Sequence, residues 1–455
     1  MPVQSLRCNL QFLTMPTPSL ILVPARFKTG KLYTPLATTS GGTVLGASGD
    51  FNVTRATTAT RVNASGYIES VASGIPRLDY YTSGGTAGCP ALLVEPSAQN
   101  VVVQSENWLA SGWRSDATAN VTTVSATTGT LDPLGTNTAN AISPTSANTS
   151  HLKVGSDSSI SFTSGTIYTA SAFFKQGTGN AGRYVQIAWP PTRFAANTFA
   201  NFDLQLGTVA LVTGSTVTAG IENYGNGWYR CRCTNTCIST GTGANGISIA
   251  LIETSGATRL PTFTGTTTDV LYGWGAQTET GSVATSYIPT TTASVTRNAE
   301  FINLSGAVSG CIGQTDGTIY AEVDTTSQTA VRTLLTLSDG TATNRIRFRL
   351  TTATNLEMER SVSGSTNATL NVAVPASGIY KVALGYNASA SGFVIYVNGS
   401  SVGTIAAATP TFTNQLTRID IGSNIGASPL FNDRIRAVAL YTTRLTNAQL
   451  AALTT

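Results

Sequence analysis

Trp274-Gly-Ala-Gln-Thr-Glu-Thr-Gly-Ser-Val-Ala-Thr-Ser-Tyr-Ile-Pro-Thr290 sets a strand end, a turn and an extended exit in series. Val270, Tyr272, Trp274 and Ala276 alternate with the period of one strand face. Gly281 breaks the run, and the ring of Pro289 forces Ile288 into an extended conformation. Upstream, the same alternation recurs in Tyr168, Ala170, Ala172 and Phe174, in Val185, Ile187 and Trp189, and in Phe202, Leu204 and Leu206. Tyr229, Cys231 and Cys233, then Ile247, Ile249 and Leu251, continue it. These runs are enough for a two-sheet jelly roll over residues 101–290.

Residues 317–455 read as a second sandwich. Phe393-Val-Ile-Tyr-Val397 runs into Asn398-Gly399, the strongest short hairpin signal in the chain, and a strand through Val402 follows. Tyr380, Val382, Leu384 and Tyr386 form a preceding strand, and Ile435, Ala437, Ala439 and Tyr441 a late one. Thr446 and Gln449 have the spacing of a capping box, which predicts a short terminal helix. Residues 1–100 hold short strands and many turns, with too few apolar runs for a core of their own. A small β element that packs on the next domain or on other chains is expected there, with an extended polar linker over 291–316. Helical periodicity and solenoid repeats are almost absent, so the fold class is all-β and a long β-helix has no support.

The Trp274–Thr290 run, with Gly225-Asn-Gly-Trp-Tyr-Arg230 and Asn201-Phe-Asp-Leu-Gln-Leu-Gly-Thr208, resembles the carbohydrate-binding-module-like jelly roll of modular bacteriophage tail and head fibre proteins. Phe51-Asn-Val-Thr-Arg55, Gly66-Tyr-Ile-Glu69, Pro76-Arg-Leu-Asp-Tyr80 and Ala91-Leu-Leu-Val-Glu95 resemble, in order and spacing, the leader of the same proteins. The segments around Tyr380–Tyr386, Phe393–Thr404 and Ile435–Leu453 resemble their C-terminal concanavalin A-like, laminin-G-like sandwich. The resemblance implies a virion structural protein on tail, baseplate or capsid, made in the host cytoplasm. It further implies a leader docked on other virion proteins, assembly as a homo-oligomer, expected as a trimer, and attachment to a host-surface glycan without turnover. A surface-polysaccharide hydrolase and a prophage-encoded adhesin are the alternatives.

Composition fits a binding surface better than a nucleic-acid partner. A net charge of +4 over 455 residues is too dilute for a basic patch, and the 11% of charged residues leaves a surface rich in Thr, Ser and Asn. Leu20 to Val23, the best apolar stretch, is far too short to insert in a membrane. Six scattered cysteines are expected as reduced thiols; Cys231, Cys233 and Cys237 suggest zinc, but they lack a fourth ligand and read better as buried strand residues.

The 22 acidic residues are dispersed singly, without a motif that pairs two carboxylates across a cleft as a glycosidase requires. A catalytic triad would need His151, the single histidine, which reads as a surface residue. No Asp cluster marks a calcium site, and no cofactor loop is present. Glycan binding needs exposed aromatic faces. Trp108, Trp113, Trp228 and Trp274 read as structural, whereas Trp189, followed by Pro190 and Pro191, is the one expected to be exposed. Arg345, Arg347 and Arg349 alternate with Ile346, Phe348 and Leu350 and so line one sheet face. That stripe suits an acidic glycan, the carboxylates of a neighbouring subunit, or plain solvation.

Overall fold

The computed structural model describes residues 16–114, 121–125, 130–156, 160–387, 392–405 and 412–455. All the pairings between its strands are antiparallel, and they assemble two sandwiches. In the first, one six-stranded sheet runs in the order Trp113–Arg114, Leu152–Gly155, Ile247–Ile252, Tyr184–Ala188, Phe199–Asp203, Thr208–Thr213. It faces a second six-stranded sheet in which Leu271–Thr280 pairs with Ile167–Gln176, and that strand with Trp228–Thr236. Between them lies a core containing Trp108, Phe174, Ile187, Trp189, Phe202, Cys231 and Ile249.

The second sandwich takes strands from both ends of the chain. Leu20–Leu22 lies against Asp433–Tyr441, with Leu20 opposite Leu440, and Ala91–Val94 pairs with the other end of the same strand. In the facing sheet Phe51–Thr54 pairs with Phe301–Ser305, which pairs in turn with Arg418–Ile421. Leu20, Leu22, Leu32, Phe51, Leu92 and Val94 are fully buried in one core with Ile419, Ile421 and Leu440. The strands Leu20–Leu22, Lys31–Leu32, Phe51–Thr54 and Ala91–Val94 are therefore part of the C-terminal domain, whereas the hairpin of Ala59–Val62 and Ile68–Val71 forms a sheet of its own and sets Ile68 against Trp228 and Trp274 of the jelly roll. Short strands cannot bury a face alone, and here they complete two sheets by pairing with strands far along the chain, Leu20 with Leu440 in one and Val53 with Ile302 in the other. The leader's burial within its own chain also removes the main reason for expecting it to dock on other subunits.

The jelly roll is thus an insertion whose two ends are zipped together: Ala98–Asn100 pairs with Val295–Arg297. Asn100 is fully buried and uses its whole amide at that point. Its Nδ2 donates to the carbonyls of Ala276 (3.0 Å) and Ile288 (2.9 Å), and its Oδ1 accepts from the amides of Val102 (3.0 Å) and Thr278 (3.1 Å). The stretch expected as a linker contains Val295–Arg297, Phe301–Ser305 and a short 3-10 turn, because Ile302 and Leu304 point into the core.

Local signals behave as their chemistry requires. Asn398 and Gly399 take φ of 47° and 82°, the left-handed values of a tight hairpin turn. Thr446 caps Asn447–Thr454 through the reciprocal bond with Gln449, and Leu450 and Leu453 seat that helix on the outer face of a sheet.

Candidate functional site: a cleft between the two sandwiches

The residues singled out in the sequence do not meet. Trp189 is 1% exposed in the jelly-roll core. The turn after it, closed by Phe194 N–H donating to the Pro190 carbonyl (3.0 Å), folds Phe194 back over the indole at 4.4 Å between ring centroids. The prolines that suggested exposure instead make the turn that covers the ring. His151, expected at the surface, is likewise fully buried beside Phe263, with Nε2 3.1 Å from the Phe263 carbonyl. Cys89, expected as a reduced thiol, is disulfide-bonded, whereas Cys231, Cys233, Cys237 and Cys311 are free and buried.

Arg345, Arg347 and Arg349 do share one face, but they are committed to carboxylates of the next strand. Arg347 lies opposite Glu359 and Arg349 opposite Glu357 in the register. Arg345 Nη2 and Arg347 Nη2 each donate to Glu359 at 2.7 Å, and Arg349 Nε donates to Glu357 at 2.6 Å. Burial pushes the Glu359 carboxyl up, yet the Arg345 bonds and the Arg347 charge outweigh it and hold the group below the usual carboxylate range. The alternation Arg-x-Arg-x-Arg followed by Glu-x-Glu across a turn was the sequence signal for this ladder.

The residues that carried the family resemblance meet at the seam between the sandwiches. Arg77, fully buried, donates to both oxygens of Glu300 and, at 2.7 Å, to Glu95. Arg55 reaches Glu300 at 2.8 Å, and Arg297 bonds Glu95. Ser286, from the Trp274–Thr290 run, donates to Glu95 through its amide and its hydroxyl, both at 2.7 Å. Burial alone would raise the Glu95 carboxyl. The charges of Arg297 and Arg77, with the two Ser286 bonds, instead hold it far below the ordinary carboxylate range. Three remote segments are fastened here by charge-assisted bonds that leave no carboxylate unpaired.

Directly above this hub opens a cleft of about 390 Å³. Thr60, Arg61, Val62, Ile68 and Tyr81 form one wall, Glu222, Tyr224, Arg232 and the Thr285–Tyr287 turn a second, and Asp324–Ser327 with Asp433 and Arg434 the third. Tyr81 and Tyr224 are half-buried, with ring centroids 4.9 Å apart and planes tilted by 43°, and the Arg434 guanidinium lies 4.6 Å from the Tyr81 centroid. Burial pushes the Tyr224 phenol up to about 12, so both hydroxyls are neutral donors at physiological pH. Asp324, half-buried, has its carboxyl raised by burial, against the opposing charges of Arg434 and Arg436. Among the described residues no group of three or more His, Cys, Asp or Glu could hold a metal ion, and no helix is long and apolar enough to cross a membrane.

No curated protein matches the chain. Among solved structures it is similar to the Ruminococcus gnavus IT-sialidase CBM40, at 22% identity and a TM-score of 0.30 over 33% of this chain and 88% of that one. It is also similar to domain 4 of AbnA, a GH43 extracellular arabinanase from Geobacillus stearothermophilus, solved with arabinotriose, at 15% identity and a TM-score of 0.28 over 38% of this chain and 82% of that one. A family model described as the concanavalin A-like lectin/glucanases superfamily, of laminin G type, matches residues 304–451. Residues 304–451 are thus a concanavalin A-like sandwich domain, which in this chain is completed by strands from residues 20–94.

Proposed function

We propose that the chain is a glycan-binding, non-catalytic protein of a bacteriophage surface, a tail or head fibre subunit that attaches the particle to its host. The observation that carries glycan binding is the concanavalin A-like domain at residues 304–451, joined through a buried charge hub to a second β-sandwich. Binding without turnover is supported by Glu357 and Glu359, which are neighbours on one strand but are each held by arginine rather than facing a cleft as an acid and base pair would. The virion role and the trimeric state rest on the resemblance of the leader and of the Trp274–Thr290 run to phage fibre proteins. Probing the purified chain on a glycan array tests the first part; no retained glycan would refute it. Antibody labelling of phage particles tests the second, and light scattering the third, where a monomer would count against a fibre subunit.

A further inference from the structure

We propose that the cleft between the two sandwiches binds an uncharged oligosaccharide, with Asp324 accepting hydrogen bonds from its hydroxyls. The proposal rests on the glycan-binding reading above and assigns it a site and a ligand class. At about 390 Å³ the cleft falls within the range of roughly 300–1,000 Å³ typical of small-ligand sites.

Its charges decide the class. Arg434 is paired with Asp79, Arg61 with Glu69 at 2.7 Å, and Arg232 faces Glu222 at 3.8 Å. On the acidic side, Asp433 is paired with Arg332, and Glu95 with Arg77 and Arg297. Arg230 also lines the cleft and has no carboxylate partner among the described residues, but it is 2% exposed and committed to the Thr285 carbonyl (2.6 Å) and the Ser171 hydroxyl (3.1 Å). An anionic sugar would therefore meet guanidinium groups that are neutralised by carboxylates or, at Arg230, sunk beneath the surface, and binding it at a paired one would strand that carboxylate without its partner. Asp324 is the exception: among the described residues it forms no ion pair, although Arg434 and Arg436 act on its charge from their own pairs with Asp79 and Glu322. Those two cations make the spot a poor place for a ligand cation. What the carboxylate lacks is neutral hydrogen-bond donors, and a pair of adjacent sugar hydroxyls supplies two. Thr326 and Ser327 add hydroxyls beside it, and the half-buried rings of Tyr81 and Tyr224 offer apolar surface to sugar C–H groups.

The test uses the full chain and an immobilised panel of neutral, sialylated, uronic acid-containing and sulfated oligosaccharides. Two variants are compared with the parent: Asp324→Asn, nearly isosteric at a half-buried position, and Ser327→Trp, which plugs the cleft from an exposed position without touching the hub. Melting temperatures are expected to stay within the error of the parent for both. Retention of a neutral oligosaccharide by the parent, weakened about tenfold or more in Asp324→Asn and abolished in Ser327→Trp, is the expected result. Neutral binding that both variants keep would overturn the site while leaving the glycan-binding reading intact. Binding restricted to acidic sugars would overturn the ligand class, and a parent that retains nothing would overturn the proposal and the reading together.

Discussion

Leu20 sits opposite Leu440 in one sheet, so segments 420 positions apart in the sequence are neighbours in a single domain. Removing residues 1–50 therefore takes the fully buried Leu20, Leu22 and Leu32 out of the core, at about 1.5–3 kcal/mol for each side chain. The truncated chain is expected to be insoluble or to melt well below the parent in a circular-dichroism scan. An unchanged melting temperature would mean that the leader is a detachable arm after all.

Asn100→Ala should cost several times what an exposed substitution does. The change leaves the carbonyls of Ala276 and Ile288 and the amides of Val102 and Thr278 without their partner, at about 1–3 kcal/mol for each buried group that water cannot reach. Urea unfolding followed by tryptophan fluorescence would report it, because all five tryptophans lie in the two clusters of this sandwich. Asn100→Asp should fall short of rescue, since it keeps the acceptor for the two amides but loses both donors.

Glu95 gives the hub a pH signature. Its carboxyl is lowered in the folded protein from an ordinary value of 4.5, so its contribution is fully present above that value and is lost as the pH falls through the folded-state pKa. Glu95→Gln is expected to lose about 3–5 kcal/mol near neutrality, because Arg77 and Arg297 lose a buried counter-charge. The gap between parent and variant, read from denaturant midpoints, should narrow as the pH is taken well below 4.5. A gap independent of pH would show that packing rather than charge makes the hub.

The arginine ladder should matter for stability. Arg347, 5% exposed and bonded to Glu359, is expected to cost about 1–3 kcal/mol when replaced by Ser. Part of that loss should return in the double variant with Glu359→Gln, which removes the carboxylate oxygen left without Arg347, although Arg345 then gives up its own partner. Additive losses in the double-mutant cycle would show that the pair does not interact.

Much of the local structure was legible in the residues themselves. The alternating runs gave strands, Asn398-Gly399 a hairpin, and Thr446 with Gln449 a helix start, because each depends on side chains a few positions apart. Trp189 and His151 were not legible. Whether a ring is covered depends on where Phe194 or Phe263 is placed by the rest of the fold, and no local pattern encodes that. The Arg345–Arg349 stripe was seen as a stripe, but its partners Glu357 and Glu359 became decisive only once the hairpin register was fixed.

By itself the sequence determined that this chain is built of β-sandwiches with a weakly charged, hydroxyl-rich surface, since period-two alternation and composition are properties of neighbouring residues and of totals. Only the tertiary structure decided that strands from residues 20–54 and 91–94 belong to the C-terminal sandwich, that the jelly roll is inserted, and that Arg77, Glu95, Ser286, Arg297 and Glu300 meet beneath one cleft. The physical reason is range. Strand pairing and buried ion pairs are chosen by what else can fill a face or neutralise a charge, and here the partners lie hundreds of residues apart.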